Sequence, residues 1–168
     1  MYLVLDASPL IYLAKLDAFD AVTIAGFAAV VPPSVYAEAA RPELAFRHPE
    51  IATVERVRAD GNLLVVELEA PEKELATDLA GRYGGLHAGE LDVLALGQAR
   101  HWTVCFHERQ AARLARSLGL ETIHVIEILF AGTPDLDVLE RRIRRFARLT
   151  NLTMNDLDEL MNLIRERR

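Results

Sequence analysis

Cysteine is almost missing from this chain. Cys105 is its only one, so neither an internal disulfide nor a thiolate zinc cluster is available, and its setting, Trp102-Thr103-Val104-Cys105-Phe106, marks it as a small core residue rather than a nucleophile. Long apolar runs are missing too. No stretch of about eighteen uninterrupted apolar residues occurs, and the first residues lack the basic-then-apolar layout of a signal peptide. A cytoplasmic location without a membrane partner is expected. Lysine is scarce: of the 19 basic residues, two are Lys. Arg suits bidentate phosphate contacts, although a biased genome would give the same excess. The net charge of −6 argues against a broad basic surface for duplex nucleic acid, but leaves room for a local site. There is no internal repeat and no low-complexity segment. Gly84-Gly85 has no following Gly-Lys-Ser/Thr, which rules out a phosphate-cradling loop of that type.

What is present is a chain of 168 residues, 51% apolar, enough for one compact domain with a real core. Strand patterns recur at 2–5, 28–31, 63–67, 102–106 and 122–125. Between them lie amphipathic stretches at 8–16, 33–40, 50–60, 71–82, 89–100 and 108–118. That alternation predicts an α/β protein with a parallel sheet covered on both faces. From about Ile126 three more helical stretches follow, separated by Gly132-Thr133-Pro134 and Thr150-Asn151-Leu152-Thr153. The acidity belongs to the body: up to Pro134 there are 11 basic and 18 acidic residues, and from Asp135 to Arg168 there are 8 and 7.

Four acids stand at element boundaries. Asp6 closes the first strand just before Ser8 and Pro9, which read as an N-cap and a first-turn proline, so a helix is expected from about Ser8. A carboxylate at a strand's carboxyl end beside a helix start is held rigidly with its oxygens free for a hard cation. Glu38 lies in the helix after Pro32-Pro33, one turn beyond Ser34. Glu90 and Asp92 open a later helix two positions apart, roughly 200° around its axis, so they cannot both face one ion. Glu108, after His107, ends the fourth strand. Each acid singly has a plain structural reading as a cap, a dipole partner or a solvated side chain. Together they would repel one another unless a divalent metal sits among them, and without metal at least one should titrate high.

The segments Leu5-Asp6-Ala7-Ser8-Pro9-Leu10-Ile11, Val31-Pro32-Pro33-Ser34-Val35-Tyr36-Ala37-Glu38, Gly89-Glu90-Leu91-Asp92-Val93-Leu94-Ala95-Leu96 and Glu108 to Leu120 resemble PIN-domain proteins in order and spacing. The likeness covers about residues 1–125 and is nearest the bacterial and archaeal branch that includes VapC-type toxins and nucleic-acid-binding proteins with a longer helical tail. It implies a three-layer α/β/α fold with a central parallel sheet (1–125), plus a helical extension (126–168) packed on that domain or at a dimer interface. It also implies a Mg²⁺- or Mn²⁺-dependent endoribonuclease acting on single-stranded RNA, with a toxin role beside an antitoxin protein and a homodimer as further implications. By motif position Asp6, Glu38, Glu90 and Glu108 carry over as the catalytic, metal-binding acids and Ser8 as the small hydroxyl beside the first of them. Asp92 and His107 are accessory candidates. Arg109 and Arg113 are candidate substrate contacts.

One departure matters. The family usually has Asp at or beside the position held here by His107-Glu108, and the helix register makes Glu108 the stand-in. Its longer arm would weaken the metal geometry. His107 has three readings, as a ligand for a metal such as Mn²⁺, as a stacking platform for a base, or as a half-buried imidazole bonded to backbone, and the last is preferred. His87, beside Glu90, could touch substrate, whereas His48, His101 and His124 show no ligand spacing and read as surface or structural. In the tail, Leu139, Ile143 and Phe146 form one apolar stripe, with Arg141, Arg142, Arg145 and Arg148 opposite, either a phosphate patch or a solvated face. Leu157, Leu160, Met161 and Ile164 form a second stripe. Against the nuclease stands a catalytically weak PIN-like module that binds nucleic acid or protein. A receiver-like phosphate acceptor is poorer, since no acidic pair occupies the first strand-helix turn.

Overall fold

A computed structural model describes residues 1–168, the side chain of Pro42 excepted. Four short strands, β1 (Tyr2–Leu5), β2 (Ala28–Val31), β3 (Leu63–Val65) and β4 (Thr103–Cys105), form one sheet in the order β3-β2-β1-β4, every pairing parallel. Central strands of such a sheet are buried on both faces and read as unbroken apolar runs. Leu3, Val4 and Leu5 of β1 and Val30 and Val31 of β2 accordingly have no exposed surface. The expected α/β architecture with a parallel sheet is the one observed.

Ten α-helices occur among the described residues: α1 (Ala7–Lys15), α2 (Phe19–Ile24), α3 (Pro33–Ala39), α4 (Glu50–Ala59), α5 (Ala70–Arg82), α6 (Ala88–Arg100), α7 (Arg109–Ser117), α8 (Val125–Gly132), α9 (Leu136–Thr150) and α10 (Met154–Glu166). Helix α1 packs against α3, α4 and α8, whereas α6 lies on β1 and β4 with α5 beside it. The pair α5–α6 is clamped by Arg100, whose guanidinium donates to both carboxylate oxygens of the buried Glu72.

Three details differ from expectation. The strand expected at 122–125 shrinks to a single bridge between Val104 and Thr122, held by bonds from Val104 N–H to the Glu121 carbonyl and from Ile123 N–H to the Val104 carbonyl. His124 then leaves the sheet to cap α8. Helix α2 had no counterpart in the sequence reading, because six residues are too few for a convincing helical period. Finally α1 begins at Ala7, so Asp6 and not Ser8 occupies the cap position, and no side chain caps there. The turn out of β1 is held by a backbone bond instead, from Leu10 N–H to the Asp6 carbonyl, at 3.1 Å.

The last three helices share the sheet's core. Ile128, Leu129, Leu139, Ile143, Phe146, Met161 and Ile164 are buried in the same apolar cluster as β1 and β2. Gly132 allows the approach of α8 to α2, since a Cβ there would fall 1.8 Å from the Ala21 carbonyl oxygen. Arg142 does not belong to a phosphate patch: its guanidinium reaches Asp20 at 2.6 Å, the Asp17 carbonyl at 2.7 Å and Thr133 at 3.0 Å, tying α9 to the α1–α2 turn and α2. Arg141, Arg145 and Arg148 are exposed.

Candidate active site

Strand register decides which acids meet. Leu5 pairs with Cys105, and Asp6 N–H donates to the Cys105 carbonyl at 3.1 Å, so Asp6 leaves the sheet beside Phe106, two residues before Glu108. Val4 pairs with Val30, so β2 ends on the same edge and releases α3, whose sixth residue is Glu38. Helix α6 starts there as well. Gly89 is close-packed against α3: a Cβ on it would stand 3.1 Å from Val35 Cγ2 and 3.8 Å from Glu38 Oε2. Any larger residue at 89 would press on the helix that carries Glu38.

The four acids are unlike in environment. Asp6 and Glu90 are buried, at 6% and 8% exposure, whereas Glu38 and Glu108 are exposed. Glu90 is also spoken for in part, because its Oε2 accepts the His87 N–H at 2.8 Å at the start of α6. That bond orients the carboxylate and leaves Oε1 free of any protein partner in the described contacts. Asp6 has its pKa pushed up from 3.8 to about 6, mainly by burial, against a lowering pull from the Ala7 backbone N–H, with the charges of Glu90, Glu38 and Glu108 adding to the rise. All four carboxylates therefore belong to one electrostatic neighbourhood. The expected high-titrating carboxyl is present, although burial outweighs crowding as its cause.

The arrangement is not a closed chelate. Among the described residues, no three His, Cys, Asp or Glu side chains are grouped so as to hold an ion together. The donor chemistry nevertheless fits a hard divalent cation, since carboxylate oxygens are its usual ligands and a buried carboxylate with a raised pKa gains from a counter-charge. Two buried acids, Asp6 and Glu90, and two exposed glutamates, Glu38 and Glu108, make up the set.

The accessory candidates separate. Asp92 accepts the Ser34 hydroxyl at 2.6 Å, locking α6 to α3, and is absent from the charges felt by Asp6. The expectation that Glu90 and Asp92 face different ways holds. Ser34 was missed as a positioning residue; its place after Pro32-Pro33, at the start of α3, was the available signal. Ser8 is half-buried in the first turn of α1. Cys105 is fully buried, and burial pushes its thiol pKa up, so it is no nucleophile.

His107 is the main surprise. It is half-buried among rings, edge-on to Tyr12 at 4.9 Å between centroids and tilted against His124 at 5.8 Å. Its Nδ1 is buried and, among the described residues, meets no partner, contrary to the backbone bond expected for it. The Tyr12 hydroxyl pKa is raised by burial and by the Glu108 charge, which places this ring cluster beside the acids. A cleft of ≈600 Å³ opens at the same place, between the β4–α7 turn and the α9–α10 turn. Arg109, an expected substrate contact, lines it, and so does Arg116, two helical turns further along α7. Arg113 is exposed and donates through Nε to the Arg109 carbonyl. Exposed His87 sits at the start of α6 beside Glu90, while His48 pairs with Glu50 and His101 ends α6 in a left-handed turn.

A family model described as a PIN domain matches residues 2–154. Comparison with curated proteins finds no match. No helix among the described residues is long and apolar enough to cross a membrane.

Proposed function

The chain belongs to the PIN-domain family, a nuclease-type, nucleic-acid-binding module whose members generally use divalent metal ions, and from that premise we propose that it is a metal-dependent endoribonuclease acting on single-stranded RNA. The observation that carries this reading is the shared electrostatic neighbourhood of Asp6, Glu90, Glu38 and Glu108 at one sheet edge. These four would hold Mg²⁺ or Mn²⁺. A divalent cation, when bound there, supplies Lewis-acid activation of water and neutralises phosphate charge. The chain's own part is positional. Buried Asp6 and the bonded Glu90 give a fixed floor, the Ser34–Asp92 bond keeps α3 and hence Glu38 in register with α6, and Arg109 stands where it can draw a phosphate toward the edge.

The direct test is incubation of the purified chain with single-stranded RNA and Mn²⁺ or Mg²⁺, beside Asp6→Asn and Glu90→Gln. Cleavage by the parent that both variants lose, and that EDTA stops, supports the reading; cleavage surviving both would end it. A binding module without catalysis is the second reading, favoured by the open arrangement of the acids and by Glu108 standing where the family usually has Asp. RNA binding without cleavage under any divalent ion would select it. The toxin role adds an antitoxin partner, and a homodimer is the other association the reading carries. Growth arrest on expression, relieved by the product of an adjoining small gene, would test the first, and sedimentation the second.

A further inference from the structure

The cleft beside Glu108 has a composition the acidic edge does not explain. Its walls come from segments far apart in the chain: His107 from the β4–α7 turn, Arg109 and Arg116 from α7, His124 from the cap of α8, Phe146 from α9, and the polar α9–α10 turn. Positions 109 and 116 are seven apart and so share one face of α7. The cluster is aromatic throughout, with His107, His124 and Phe146 ring centroids separated by 5.8 to 6.3 Å.

Its nitrogens are not equivalent. His124 Nδ1 accepts the Ile126 N–H at 3.3 Å, a bond that needs the ring proton on Nε2, and burial beside the His107 ring lowers its pKa. Among the described residues, His107 Nδ1 has no partner. A buried polar nitrogen left unpaired is unfavourable, so hydrogen bonding within the protein does not account for where this ring sits. A ≈600 Å³ cleft falls in the usual size range of small-molecule sites and admits one nucleotide. Aromatic faces for a base beside two guanidinium groups for the backbone are the chemistry of single-strand recognition. The acids that share the lining, Glu108 and Asp156, disfavour a phosphate deep inside and suit the amino group of a base.

We propose that this cleft is a nucleotide subsite, in which one unpaired base of single-stranded RNA stacks on His107 while Arg109 and Arg116 take the neighbouring phosphates. It rests on the reading of the chain as a nuclease of single strands and assigns the position of one nucleotide relative to Glu108. The test uses the full chain in EDTA, so that no strand is cut, and a set of single-stranded oligoribonucleotides in which one abasic ribose is moved along the sequence. His107→Ala is expected to weaken binding of the intact strand by roughly tenfold, as for the loss of one stacked base. His107→Phe keeps the ring and is expected to retain most of the affinity. At one abasic position the penalty of His107→Ala should vanish. Circular dichroism and melting of each variant show that the fold survives. A penalty that persists at every abasic position, or equal losses for Ala and Phe, would overturn the subsite while leaving the nuclease untouched, provided the parent cuts RNA when metal is restored. A parent that neither binds nor cuts single-stranded RNA would overturn both.

Discussion

Two regions meet at Glu108 and differ in nearly every respect. On one side is the acidic edge, made by β1, α3 and α6 from residues that leave parallel strands or open helices, all of one charge. On the other is the cleft, made by α7, α8 and α9 from Arg and aromatic side chains brought together across the chain. The edge is built for tension, with a buried Asp6 whose proton is held up to about 6. The cleft is built for contact, its rings packed on one another and its Arg109 exposed. An edge of acids alone repels a polyanion, and a cleft carrying Arg side chains beside it offsets that repulsion.

The widest separation of the two comes from Phe146→Ala. That ring is 1% exposed in the core and lines the cleft as well, so its loss should cost about 3–5 kcal/mol of stability, read as a lower denaturation midpoint. If the midpoint hardly moves, the tail is not part of the common core.

Next comes the proton on Asp6. Its folded pKa of about 6 lies above the ordinary aspartate value of 3.8, so the native state binds the proton more tightly than the unfolded chain. Stability is therefore greatest at low pH as far as this group is concerned, falls as pH rises from about 4 to 6, and levels off above; the whole effect is on the order of 3 kcal/mol at most. Asp6→Asn should flatten this window and stabilise the fold at pH 8 while abolishing cleavage. Mg²⁺ or Mn²⁺ should raise the melting temperature more at pH 8 than at pH 5, where protons compete for the same oxygens. Equal shifts at both pH values would separate metal binding from Asp6.

A smaller effect is expected from Ser34→Ala, which leaves Asp92 without its 2.6 Å partner. The cost is about 1 kcal/mol by melting, with the metal affinity weakened because α3 carries Glu38. The smallest is Glu108→Asp. Shortening this arm restores the acid usual in the family and should raise Mg²⁺-supported cleavage a few-fold, Mg²⁺ being strict about octahedral geometry, whereas Glu108→Gln should lower metal affinity in isothermal titration.

The acids, the order of the elements and the parallel sheet were legible in the chain itself, because each rests on local signals: apolar runs for buried strands, Pro9 and Pro32-Pro33 for helix starts, carboxylates at the boundaries. That Glu90 and Asp92 part company followed from helical geometry alone. Other things were not local. The short β-bridge at Thr122 depends on how far α7 lets the chain return to β4, and the fate of Arg142, a clamp on α2 rather than a surface cation, depends on where α9 docks. His107 and His124 are seventeen positions apart and share no ligand spacing, yet the chain returns from α7 to β4 and sets them ring against ring. Sequence by itself determined which groups stand at the carboxyl edge, since strand ends and helix starts are written in neighbouring residues. Tertiary structure alone decided which of them are buried and what faces them, since desolvation and ring packing arise only when segments distant in the chain exclude water from one another.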